Sequence, residues 1–219
     1  MCFSAPASFI AATVLTGVGI AALRLTSHRS EWPFAAIPLL FGLQQGLEGV
    51  IWLVLGAGGT TIEGGWSMGY SLFSHVLWPI FVPLAVGLLE PYGWRQRAIW
   101  GTQMVGLAVG GYLLYNLIRF PIVVHVLGQH LVYDSPHFYI APVMSGYLIA
   151  TCASSLLSSH HMIRWFGAAS LGTFFLAYAI HAATLISMWC FFAAILSVIV
   201  YLHFRGARRT LRTDSPTLP

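Results

Sequence analysis

Apolar residues along this chain come in long uninterrupted runs rather than in a soluble helix's three-and-four spacing or a half-buried strand's alternation. Seven runs reach or nearly reach span length: Ala5–Leu25, Pro33–Leu55, Ser67–Leu89, Ala98–Ile118, His137–Leu157, Trp165–Ile186 and Met188–Phe204. Crossing about 30 Å of hydrocarbon takes roughly 20 helical residues, so each run predicts a membrane-spanning helix. The last two are separated only by the neighbourhood of Ser187. One connection departs from the polar-loop pattern. In IVVHVLGQHLVYD, branched and aromatic residues alternate around Gly128, which predicts a short β-hairpin between the fourth and fifth spans.

Composition agrees with a lipid-facing exterior. The chain is 58% hydrophobic and 7% charged, with a mean hydropathy of +0.78, whereas a soluble domain carries roughly a quarter charged residues. The first run lacks a basic leader and a small-residue cleavage site, and reads as a permanent span. All ten basic residues are Arg. With a break near Ser187, Arg24, Arg29, Arg95, Arg97, Arg164, Arg205, Arg208, Arg209 and Arg212 fall on one face and Arg119 alone on the other. Arginine marks the cytoplasmic side, so the expected fold is an all-α bundle of seven transmembrane helices, N-terminus outside and C-terminus inside. Residues 1–206 form one domain, and the polar tail from 207 to 219 is expected to be disordered. No basic stripe with interleaved aromatics suits a nucleic acid, and a chain without Lys cannot hold retinal as a Schiff base.

Glu48 is the one acidic residue well inside a span. A carboxylate at that depth costs a few kcal/mol and normally faces a partner. Gln44 and Gln45 extend its polar side, and Gly42 and Gly46 form a pair of small residues that admits a close neighbour. Depth counting places His75 about eight residues, roughly 12 Å, below the outer end of the third span, level with Glu48. His181 lies about five residues, roughly 8 Å, below the outer end of the sixth, and Cys2 stands at the outer mouth of the first. Two His, a carboxylate and a thiolate suit a transition metal, Zn above Cu or Fe. Glu48 would then be a ligand or a general base acting on metal-bound water. A Cys2–Cys190 disulfide on the oxidising face is the competing reading of Cys2. Trp52 and Trp78, one turn from Glu48 and His75, would wall the pocket, and the hairpin residues His130 and Tyr133 would cover it. Pro38, Pro79, Pro83 and Pro142 bend the surrounding helices.

The opening MCFSAPASF and the string PLLFGLQQGLEGVIWL resemble an uncharacterised family of small bacterial multi-pass membrane proteins. The resemblance implies the bacterial inner (plasma) membrane and no established activity. Whether the protein is an enzyme stays open. A membrane metalloenzyme acting on a small or lipid-like substrate stands beside a proton-coupled transporter or channel, and beside a sensor or assembly subunit whose polar residues only pack.

Overall fold

The computed structural model describes residues 4–57, 59, 61–128, 130–180 and 182–213, without the side chains of 183, 207 and 209–213. Its helices form seven rods: α1 Ala5–Leu25, α2 Arg29–Gly56, α3 Gly65–Leu89, α4 Trp94–Arg119, α5 Ala141–Leu157, α6 His161–Ile180, and α7, which joins Leu185–Leu196 to Val198–Thr213 at Ser197. Five of them (α1, α2, α3, α6, and α7 through Gly206) are long and apolar enough to cross a membrane. The 26-residue α4 has the length, and α5 is a shorter apolar helix.

Prolines set where the rods start. Pro38 and Pro142 sit in the first turns of helical segments, where the missing N–H costs nothing. Pro79 follows a π-helical stretch, Leu72–Leu77, inside α3. Because Pro79 has no N–H to give the His75 carbonyl, the ordinary ladder cannot continue there, and the helix takes up an extra residue per turn. A second π stretch, Ile149–Ala153, lies in α5.

Glycines set how closely the rods approach. A Cβ on Gly19 would come within 2.5 Å of the Leu39 backbone, one on Gly42 within 2.7 Å of Thr16, and one on Gly49 within 2.9 Å of the Phe9 ring. Thus α1 and α2 pack nearly backbone to backbone. Gly46 has open space beside it, so the expected Gly42/Gly46 pair is corrected to Gly42 and Gly49, seven residues apart on the face that meets α1.

The hairpin forms as expected. Strand β2 (Val124–Leu127) pairs antiparallel with β3 (His130–Tyr133), and Gly128 takes the positive φ of 63° that their turn requires. A third strand, β1 (Thr61–Ile62), pairs with β2, Thr61 opposite His125 and Ile62 opposite Val124. The α2–α3 and α4–α5 connections are thereby joined into one sheet at one end of the bundle.

At the other end, Glu90 closes α3 against the α5–α6 turn. Its carboxylate accepts from Ser158 Oγ at 2.9 Å and from the Ser159 backbone N–H at 2.8 Å. The His203 ring stands 5.3 Å from His160 and 6.1 Å from Phe34. The start of α6 and the second half of α7 therefore meet at this end, and α6 and α7 run antiparallel.

Two boundaries need correction. The break expected near Ser187 falls earlier: α6 ends at Ile180, a 3-10 turn occupies Ala182–Thr184, and Ser187 lies inside α7. The tail expected to be disordered from 207 is helical through Thr213; residues 214–219 lie outside the described residues.

Candidate functional site

The polar side of α2 is fully buried. Gln44, Gln45 and Glu48 have no exposed surface, so each must be held by the bundle itself. Gln44 Oε1 accepts from Trp78 Nε1 at 2.7 Å, and the Trp78 ring stacks on Phe41 at 3.9 Å. Glu48 accepts from Gln45 Nε2 at 3.1 Å and, across the bundle, from Ser187 Oγ at 2.8 Å. The Ser187 hydroxyl seats the carboxylate at the first turn of α7, just beyond the Ala182–Thr184 turn. Trp52 is half-buried, and its indole N–H has no hydrogen-bond partner among the described residues.

His75 lies within the π stretch of α3, 2% exposed. Its Nδ1 is 2.8 Å from Ser74 Oγ, and its Nε2 is 2.9 Å from Ser135 Oγ in the loop after β3. Phe138 packs edge-on against the ring at 5.2 Å, and Tyr147 donates to the Ser74 carbonyl at 2.5 Å. Both ring nitrogens are thus engaged by serine hydroxyls. In this arrangement neither offers a lone pair to a cation.

The sheet caps this polar end. Tyr133, 2% exposed, stacks on Tyr70 of α3 at 4.4 Å, and His130 is half-buried beside it in β3. Asp134 Oδ2 is 3.4 Å from His125 Nδ1, and Tyr139 donates to the Ala182 carbonyl at 3.2 Å. The hairpin loop is therefore pinned to the α6–α7 turn. Sequence reasoning singled out Glu48, the glutamines, Trp78, His75 and Tyr133. It missed Ser74, Ser135, Ser187 and Tyr70, because nothing in a chain distinguishes a serine that bonds its own helix from one that reaches another.

Of the four expected metal ligands, Cys2 and His181 lie outside the described residues. Among the described residues no three His, Cys, Asp or Glu side chains group as a metal would require. Cys190 is a free, buried thiol within α7, so the disulfide weighed for it is not formed. The depth counted for His181 rested on a sixth helix reaching Ile186. The described helix α6 ends at Ile180. Two cavities adjoin the cluster. A small apolar one of about 40 Å³ lies between Trp78, Tyr147, Trp189 and Cys190, and a larger one of about 250 Å³ reaches His75 and Ser135 beneath the hairpin loop.

A family model described as a family of unknown function (DUF6629) matches residues 1–215. No curated protein and no solved structure matches the chain.

Proposed function

Because the chain belongs to this family of unknown function, its site has to supply the argument, and we propose that it is a seven-span protein of the bacterial inner membrane that holds a transition-metal ion beneath an external lid. The observation that carries this reading is the placement of Glu48. A carboxylate with no exposed surface is oriented by donors from α2 and α7. The ligand set is then Glu48, His181 and Cys2, a combination suited to Zn. His75 stands outside it, since serines occupy both its nitrogens. Metal-bound water would supply a nucleophile at neutral pH, while the bundle excludes bulk solvent and the donors to Glu48 fix its orientation.

Elemental analysis of protein purified in mild detergent tests this. Wild type is expected to carry a stoichiometric transition metal that Glu48→Gln and His181→Ala lose and His75→Ala keeps. Metal-free wild type, or metal retained in Glu48→Gln, overturns the reading.

The orientation has its own test. The sheet lies outside and the Arg-rich ends inside, in keeping with β1 and the hairpin sharing one end of the bundle and with Glu90, His160 and His203 sharing the other. Reporter fusions after Arg97 and Arg205 are expected to report cytoplasm, and insertions at Gly65 and His125 the exterior. An external reporter after Arg205 would remove one crossing from the scheme.

A further inference from the structure

Ser135, in the loop after β3, holds its hydroxyl against the His75 imidazole, and the contact joins residues 60 positions apart. The loop fixes it from both sides: Asp134 N–H donates to the Val123 carbonyl at 3.0 Å, and the Ser135 carbonyl accepts from Phe138 N–H at 3.1 Å. On the far side of the ring, Nδ1 meets Ser74 Oγ at 2.8 Å. With the ring proton on Nδ1 and given to Ser74 Oγ, the Nε2 lone pair faces the Ser135 hydroxyl. A hydroxyl on Nε2 with Nδ1–H held by a third group is the arrangement that turns a serine into a nucleophile.

The pair also has somewhere to act. The cavity of about 250 Å³ is lined by both His75 and Ser135, with Asn116, Asp134 and His137 around them. Asn116 Nδ2 gives one hydrogen to the Tyr112 carbonyl at 2.8 Å, and its second remains for a ligand. Leu113, Leu117 and Ile122 supply an apolar wall. Phe120, which lines the cavity, is more than half exposed, so an apolar chain can enter past the end of α4.

We propose that Ser135 and His75 are a nucleophile–base pair, and that the cleft takes an acyl ester whose acyl chain lies against the apolar wall. His75 Nε2 accepts the hydroxyl proton as Ser135 Oγ bonds to the ester carbonyl carbon. The tetrahedral oxyanion collapses with cleavage of the bond to the alcohol oxygen, which leaves with the proton returned by His75. Water then repeats the sequence on the acyl-serine, releasing the carboxylic acid and restoring Ser135. Asn116 and His137 offer donors for the oxyanion. This inference does not depend on a cation at Glu48.

A fluorophosphonate probe on purified wild-type protein, read by peptide mass spectrometry, is expected to modify Ser135, with Ser135→Ala unlabelled. His75→Gln should lower the labelling rate by about a hundredfold or more, the usual contribution of a general base. Hydrolysis of a short-chain p-nitrophenyl ester distinguishes a soluble ester from a phospholipid added in mixed micelles; turnover of either supports the cleft. Where Ser135→Ala fails to fold, Ser135→Cys keeps a hydrogen-bonding group, and its alkylation by iodoacetamide should require His75. Unmodified Ser135 in folded wild type, or labelling that is indifferent to His75, overturns the proposal. Metal content should be unchanged in Ser135→Ala, so failure here and failure of the Glu48 site read out separately.

Discussion

Replacing Gly106 by alanine is expected to destabilise the protein severely, and valine at the same position should leave no folded protein in the membrane fraction. A Cβ at Gly106 would lie 1.9 Å from the Pro79 carbonyl oxygen and 2.9 Å from its carbon. These are backbone atoms, so no rotamer change relieves the clash, and α4 would have to move bodily away from α3. Overpacking of side chains alone typically costs about 1–3 kcal/mol, and a collision with main chain belongs above that range. Gly110, one turn on, meets the more adaptable Ile80 side chain at 2.7 Å, and its alanine variant should suffer less. Gly111 has nothing within 4 Å. Gly111→Ala should be neutral or gain up to about 1 kcal/mol from helix propensity. Cys152 and Cys190 are buried free thiols, so their reaction with a thiol reagent on heating reports unfolding in each variant. Equal behaviour of Gly106→Ala and Gly111→Ala would mean that α3 and α4 are not packed this closely.

The second large effect belongs to Glu90. Its carboxylate is 4% exposed and holds the Ser159 N–H and the Ser158 hydroxyl, while Arg95 donates to the Ser158 carbonyl at 3.3 Å. Alanine removes the acceptor and strands a backbone donor beneath the α5–α6 turn, a loss on the order of 3 kcal/mol for bonds to a charged partner. Spread over a chain of this size, that lowers the melting temperature by roughly 6–12 °C. Glutamine keeps an acceptor for Ser159 N–H, and its amide can donate to the Ser158 hydroxyl, so Glu90→Gln should recover most of the loss. If Glu90→Gln were as damaging as alanine, charge rather than hydrogen bonding would be holding the turn.

Much of the architecture was legible because it follows from counting. Span-length apolar runs anticipated the rods, and the first matched α1 residue for residue. Alternation around Gly128 anticipated the hairpin. The misplaced break between the last two rods has a specific physical cause. Ser187 was the polar interruption in an apolar tract and so looked like a turn. In the structure its hydroxyl is satisfied by Glu48, and the turn is made by a segment, Ala182–Thr184, of small residues that hydropathy cannot tell from helix. Two-residue β1 was invisible because Thr61 and Ile62 make a strand only when β2 is beside them. At the site, Glu48 announced itself by charge and depth. Ser135 did not, since its partner lies 60 residues away and a loop serine is ordinarily solvated.

That spread of partners governs the order in which the protein can be made. β1 leaves the ribosome more than sixty residues before β2, with Thr61 opposite His125 and Ile62 opposite Val124, and Glu48 precedes Ser187 by 139 positions. A chain synthesised from its N-terminus therefore threads α2 and α3 with Glu48 and His75 still waiting for their acceptors and donors. The sheet can be assembled only after α4 has been followed by β2, and the carboxylate is clasped only when α7 arrives. Contacts between such distant positions form late and slowly. A nascent chain arrested before α7 would thus present its buried acid to whatever the insertion machinery offers, which makes the last helix the step at which quality control has something chemical to recognise.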